Sequence, residues 1–469
     1  MTTTPRSSSA TTRVGALVER LVAMVDKGLL APGARLRSIR EGALEEGVSR
    51  NTMVEAYDRL VALGYAEARR GSGYFVRSVP RARGHETPEH VAEAVDGVSL
   101  LREQLEQRYE VRVGDGRPPA SWMEGSELGQ YLRHPRSPLY GAVEHGYGSP
   151  WGFAPLRERI ALVMAERSIH VGMDQVLLTH GANHALDLVV RHLIAPGDTV
   201  LVDSPGYYPL FGKLRLAKAN LVGVQRRGDG PDLNDLEAKA AAHRPKAFFT
   251  QSLGHNPMGG AITLPAAHRL LQVAQRQDFL VVEDDPFADL LPASAARLAA
   301  LDQLERVIYV SSFSKTLSAS LRVGYVAASP AVTQTLCDLK MVTLVSTSDY
   351  VERLVHQLIV GGQYRRHLRR LRTRLEAATV PALDTLAALG LKVLADPGGA
   401  YYLWAKLPAG VDERQLARDA AARGIFLAPG HVFLPERAPS APALRINVAY
   451  ADDPRFTAFM REALTGPRR

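Results

Sequence analysis

Six short apolar runs, QVLLTH, TVLVDSP, KAFFTQS, FLVVEDD, RVIYVSS and RVGYVAAS, lie between residues 175 and 329, separated by stretches of helical periodicity. Runs this short and this apolar belong to strands buried on both faces, so the expected fold is α/β with a mostly parallel central sheet. Ligands of such sheets sit beyond the carboxyl ends of the strands, and polar residues follow these runs. At 469 residues the chain is too long for one ordinary core and should divide into at least two domains.

The polar residues around these strand ends carry distinct chemistry. THGANHAL sets Ala182 and Asn183 at a helix start, where free N–H groups and the helix dipole favour a phosphate. DSPGYYP puts Tyr207 on a turn, able to stack on a flat ring, and HNPMGG offers Asn256 as a neutral donor to a ring oxygen. VVEDDPF ends a hydrophobic strand with Asp284, a carboxylate suited to a protonated ring nitrogen. In SSFSKTLSASLRVGY, residues 311 to 325, Lys315 stands beside Ser312 and Ser314, with Arg322 seven positions on. Such a lysine is a surface charge, a phosphate clamp or a nucleophilic amine held for a carbonyl. Together the set describes a flat ring with a basic nitrogen, a phenolic oxygen, a phosphate and an aldehyde. Pyridoxal 5′-phosphate has all four, with Lys315 as its Schiff base partner.

The first 77 residues follow another pattern. Val14, Leu17, Val18, Leu21, Val22, Val25 and Leu29 recur at helical spacing and predict an amphipathic helix over 13–29. Ser38 is the N-cap of a second helix ending at Gly47, and Ser49 caps a third that Gly64 closes. In the third helix Met53, Ala56, Tyr57 and Leu60 face inward, leaving Arg50, Asn51 and Val54 outward near its start. A hairpin then turns through Gly71-Ser72-Gly73 beside Arg69 and Arg70. Two helices joined by a tight turn, followed by a wing, form the geometry that enters a major groove. Residues 1–77 hold 12 Lys/Arg against 8 Asp/Glu, half of the chain's +8 in about a sixth of its length, which suits a polyanionic partner.

Residues 1–12 read as a disordered lead and 78–114 as a polar, Pro-bearing linker, leaving 115–469 for the large domain. A single cysteine, Cys337, excludes an internal disulfide and a cysteine-based metal cluster, and no metal site is expected. With no apolar run long enough to span a bilayer and no secretory signal, a cytoplasmic location is expected and no membrane partner.

RLRSIRE, GVSRNT, AYDRL and GSGYFV, in this order and spacing, resemble the winged helix-turn-helix of GntR-type bacterial regulators. The resemblance implies that Arg40, Ser49, Arg50, Asn51, Thr52, Arg69, Arg70, Gly71 and Gly73 face DNA. Arg37 and Val54 depart from it, standing where the family often has a proline and a base-reading arginine. YGSPWGFAPLRERIA, THGANHAL, HNPMGG, VVEDDPFADL, SFSKTLSASLRVGY and LRINVAY resemble fold-type I aminotransferases. That resemblance implies an aldimine at Lys315, Asp284 on the pyridine nitrogen, Asn256 on the ring hydroxyl and Tyr207 stacked on the ring. It places Ala182, Asn183, Ser312, Ser314 and Arg322 on the phosphate, Tyr147 reaching the phosphate of a partner subunit in a homodimer, and Arg445 on an α-carboxylate. Phe287 departs from it, in the region where the family has a tyrosine that bonds the cofactor. Joined in one chain, the halves resemble the MocR subfamily. This implies a PLP-dependent transcriptional regulator that binds an operator with two half-sites and senses PLP or an amino compound. The alternative is an active aminotransferase with an accessory DNA-binding module.

Overall fold

A computed structural model describes residues 13–26, 30–69, 71–77, 99–106, 109–126, 128–129, 146–395, 398–436 and 441–465. The lead 1–12, Arg70 of the wing turn and linker residues 78–98 lie outside these ranges. The chain divides into two compact units, Met1–Thr87 and Pro88–Arg469.

The first unit has three helices, Arg13–Asp26, Ile39–Glu45 and Arg50–Ala62, and an antiparallel hairpin of Ala66–Arg69 with Gly73–Val76. Its helix starts follow the capping residues. Ser38 and Glu41 form a reciprocal capping box, and Ser49 Oγ accepts the Thr52 N–H at 3.1 Å. Met53, Ala56, Tyr57 and Leu60 are buried against Leu17, Val18 and Leu21 of the first helix, as the periodicity requires.

The second unit is built on an eight-stranded sheet in the order Val176–Thr179, Gly324–Ala327, Val307–Ser312, Leu280–Asp285, Ala247–Thr250, Thr199–Ser204, Asn220–Arg227 and Gly230–Pro231. All six apolar runs form strands in it. Gly324–Ala327 runs antiparallel to both neighbours, Gly230–Pro231 runs antiparallel to Asn220–Arg227, and the other pairings are parallel. Successive side chains of a strand point to opposite faces, so Leu201, Phe248 and Val281 enter one core cluster while Val202, Phe249 and Val282 enter the other. Asn220–Arg227 was not among the expected strands. It lies next to the sheet's short last strand, and its polar ends hide the apolar signal.

A smaller antiparallel sheet follows, ordered Lys392–Val393, Tyr402–Lys406, Ala443–Asn447 and Ala428–Pro429. The segment 111–116 lies along it: Gly114 N donates to Phe426 O at 2.8 Å and Asn447 N to Val113 O at 2.7 Å. A Cβ on Gly114 would stand 2.5 Å from Ala428 N, so only glycine permits this approach. The basic run at 365–375 lies on the helix Gln363–Ala388, with Leu368, Leu371 and Leu375 buried and Arg365, Arg366, Arg369 and Arg372 exposed.

Candidate cofactor site and DNA-binding face

The strand order sets the carboxyl ends of Val176–Thr179, Val307–Ser312, Leu280–Asp285, Ala247–Thr250 and Thr199–Ser204 along one sheet edge. Because Gly324–Ala327 runs the other way, it begins at that edge and brings Arg322 there. Arg322 Nη1 donates to Ser314 Oγ at 3.4 Å and Nη2 to His180 O at 3.2 Å, while Ser314 N donates to Ser312 Oγ at 3.0 Å. The helix Ala182–Leu193 starts beside them from Gly181, whose φ is +76°. A Cβ on Gly181 would come within 2.9 Å of Arg322 Nη2. A guanidinium, two hydroxyls and the opening N–H groups of a twelve-residue helix thus converge, a donor-rich cradle suited to a dianion.

Next to this cradle a hydrogen-bonded chain links four side chains. Gln251 Nε2 donates to Asp284 Oδ2 at 2.7 Å, Asn256 N to Gln251 Oε1 at 2.8 Å, and Arg445 Nη1 to Asn256 Oδ1 at 3.0 Å. Arg445 Nη2 ends the chain on Gly114 O at 2.6 Å. Two atoms in it are buried with no hydrogen-bond partner among the described residues: Asp284 Oδ1, an acceptor, and Arg445 Nε, a donor. Buried polar atoms rarely stay unpaired, so both are open to a ligand that brings a donor to one and an acceptor to the other. Arg445 is 1% exposed, its guanidinium 5.0 Å from the Tyr402 ring centre and 4.9 Å from that of Phe433. Tyr207 lines a small cavity with Gln251, His255 and Asp284.

Lys315 follows the strand Val307–Ser312, and its Nζ donates to the carbonyl of Gly116. Burial, then the positive charge of Arg445, lowers its pKa to about 8. Burial pushes the Asp284 carboxyl up to about 7. The site therefore holds an amine that is part-neutral and an acid that is part-protonated near pH 7.5. Tyr147 is 86% exposed, and Asn183 presents an exposed side chain at its helix start.

On the first unit Arg40, Ser49, Arg50 and Asn51 are exposed, and Thr52 is half-buried. Arg20, Arg37, Arg59 and Arg69 pair with Glu46, Glu45, Glu55 and Glu67, whereas no ion pair joins Arg40 or Arg50 to a described residue. Arg69 also lies 4.4 Å over the Phe75 ring, so it braces the wing. Gly71 and Gly73 hold φ of +76° and +99° in the turn. Arg40 and Arg50 are thus exposed cations with no ionic partner among the described residues. Replacing Arg50 by alanine should weaken binding about tenfold at fixed salt and reduce the slope of log affinity against log salt by about one, read by fluorescence anisotropy.

The aminotransferase class I and II family matches residues 139–461, about two thirds of the chain. The chain belongs to that family. The bacterial regulatory proteins of the gntR family match residues 14–76. The probable rhizopine catabolism regulatory protein MocR of Rhizobium meliloti is 29% identical over 437 residues, covering 88% of this chain and 85% of its own. The 2-aminoadipate transaminase of Thermus thermophilus is 34% identical over 301 residues, 62% of this chain and 74% of its own. The solved structure of LysN, the alpha-aminoadipate aminotransferase of T. thermophilus complexed with N-(5′-phosphopyridoxyl)-L-leucine, superposes with a TM-score of 0.70 at 28% identity, covering 80% of this chain and 97% of that one. The kynurenine aminotransferase of Pyrococcus horikoshii, solved with PMP, gives 0.70 at 25% identity, covering 78% and 92%. This aminotransferase-family chain, with its GntR domain, has the architecture of MocR-type regulators, and its cofactor is pyridoxal 5′-phosphate.

Sequence reasoning about this aminotransferase-family site missed Gln251, which ends the KAFFTQS run, and the carbonyls of Gly114 and Gly116. A polar residue at a strand's carboxyl end was the available signal for Gln251; backbone acceptors give none. The Asp284 carboxyl also has a measurable consequence. Its folded pKa of about 7 lies above the unfolded value of about 3.9, so the folded state holds the proton longer. Its stabilising share is full in acid and is lost as pH rises from about 4 through 7. Asp284→Asn should therefore stabilise the cofactor-free protein at pH 8 by about 1–3 kcal/mol and change little at pH 4, read by thermal unfolding at both values.

Proposed function

We propose that this chain is a transcriptional regulator of the cytoplasm that binds DNA through its first unit and senses pyridoxal 5′-phosphate, or an amino compound bound with it, through Lys315. The observation that carries the reading is the pair of unpaired buried atoms, Asp284 Oδ1 and Arg445 Nε, on one hydrogen-bonded chain in a site that also holds Lys315. When bound, pyridoxal 5′-phosphate supplies an aldehyde that condenses reversibly with a primary amine, losing water, and a ring nitrogen that carries a proton. Lys315 contributes the amine, which is neutral in a useful fraction near pH 8. Asp284 would accept from the ring nitrogen, Asn256 would bond the ring oxygen, and Tyr207 would stack on the ring. Ser312, Ser314, Arg322 and the Ala182 and Asn183 N–H groups hold the phosphate, with Tyr147 contributed by the partner subunit of a homodimer. Arg445 is left for the carboxylate of an amino compound.

A route from this site toward the linker supports a regulatory rather than a purely catalytic role. The loop that gives Gly116 O to Lys315 also carries Arg112 and Arg117, which donate to the Gln104 carbonyl. Gln104 belongs to Ser99–Glu106, the first described helix after the residues that join the two units. A change in what Lys315 bonds alters the loop that anchors this helix. Two first units in the dimer read an operator with two half-sites.

The test is the chain's affinity for its own upstream DNA, measured by gel shift with and without pyridoxal 5′-phosphate. A several-fold change on adding the cofactor, with protection of two half-sites, is expected. Unchanged affinity, together with turnover of amino acids and a keto acid, would favour the second reading of a working aminotransferase, which the complete set of candidate cofactor residues also allows.

A further inference from the structure

Lys315 is not alone on the Gly116 carbonyl. The hydroxyl of Tyr402 donates to the same oxygen at 2.9 Å. Tyr402 begins the strand Tyr402–Lys406, is 1% exposed and carries the Arg445 guanidinium over its ring. Its ring stands 5.7 Å from that of Phe287, a fully buried side chain with no hydroxyl of its own. A carbonyl oxygen has two lone pairs, and here an ammonium and a phenol take both.

We propose that Tyr402 is a positioning residue for the cofactor-linked lysine: by holding one lone pair of the Gly116 carbonyl, its phenol limits how strongly the Lys315 nitrogen retains a proton. This rests on the reading of Lys315 given above. Once joined to the cofactor, that nitrogen carries at most one proton, and the protonated form gains from any acceptor within reach. Gly116 O is the acceptor that the free Lys315 amine touches. With Tyr402 donating there too, the oxygen's electron density is shared and the protonated nitrogen gains less.

The groups facing this pair come from several elements. Arg445 lies on the neighbouring strand, Asp115 and Arg117 on the loop, Tyr208 on the helix Tyr208–Leu216, and Asp284 at the end of its own strand. Burial first, with Asp115, Tyr208 and Asp284 adding to it against Arg445, raises the Tyr402 pKa well above that of an ordinary phenol. The hydroxyl therefore stays a neutral donor across the working pH range, and the lysine nitrogen is the group that titrates.

The experiment is a pH titration of the absorbance of bound pyridoxal 5′-phosphate in the full chain, wild type against Tyr402→Phe. The midpoint should rise by about one pH unit, a tenfold change in proton affinity, while cofactor retention through gel filtration is kept. Tyr402→Met, which also lacks a donor, should move the midpoint in the same direction and serves if the Phe variant folds poorly. An unchanged or lowered midpoint in a variant that retains cofactor would overturn the proposal and leave the cofactor reading intact. A wild type showing no cofactor absorbance at all would remove both.

Discussion

Replacing Lys315 by alanine is expected to leave a chain that folds and binds DNA but loses pyridoxal 5′-phosphate on desalting. The substitution removes the amine proposed to join the cofactor covalently, while the cradle of Ser312, Ser314, Arg322 and the Gly181 helix start is untouched. Reversible contacts alone should hold the cofactor at least about a hundredfold more weakly, or about 2.7 kcal/mol. The fold should tolerate the change, because burial disfavours the lysine's charge and, among the described residues, its side chain's hydrogen bond is to Gly116 O, while the bond from Tyr401 to its backbone carbonyl is kept. Absorbance of the desalted protein reads the loss directly. A gel shift then reads the consequence: the wild-type response to pyridoxal 5′-phosphate should vanish while DNA affinity without the cofactor stays within about twofold. A Lys315→Ala protein that still retains the cofactor, or still responds to it on DNA, would remove Lys315 from the mechanism.

The second large effect is expected at Arg445. Its guanidinium is held by Gly114 O and Asn256 Oδ1 and flanked by the rings of Tyr402 and Phe433, which leaves Nε without a partner among the described residues. A carboxylate arriving there meets a desolvated, pre-oriented donor, and loss of such a buried charged pair costs about 2–5 kcal/mol. Arg445→Ala should therefore weaken the absorbance response to amino acids about thirtyfold or more, with cofactor retention unchanged. Arg445→Lys should fail almost as badly, because an ammonium has no planar fork to match two carboxylate oxygens. A simple alkylamine without a carboxylate is the internal control, and its response should be the same in wild type and both variants. Amino acids acting on Arg445→Ala as they act on wild type would place the carboxylate site elsewhere.

What could be read in advance divides along a physical line. The six apolar runs were legible because strand burial is written locally, in consecutive β-branched and aromatic residues. Ser38 and Ser49 were legible as caps because a cap needs only its own helix start. Lys315, Asp284 and Asn256 were legible as residue types at or just beyond strand ends, and Arg445 as a charged residue within an alternating strand. Asn220–Arg227 was not, since its polar ends blur the pattern, and Gln251 was passed over although it bonds both Asp284 and the Asn256 backbone.

By itself, the sequence determined the two domain types, six strands of the large sheet, the helix starts capped by Ser38 and Ser49, and an inventory of amine, carboxylate, phenol and guanidinium groups. Only the tertiary structure decided which of these groups meet. Gly116 lies 199 positions from Lys315 and 286 from Tyr402, and both donate to its carbonyl. Arg445 reaches Asn256 across 189 positions. No local periodicity records such pairings. They follow from the order of the large sheet, the reversed direction of Gly324–Ala327 and the laying of 111–116 along the small sheet, which together decide what each strand end faces.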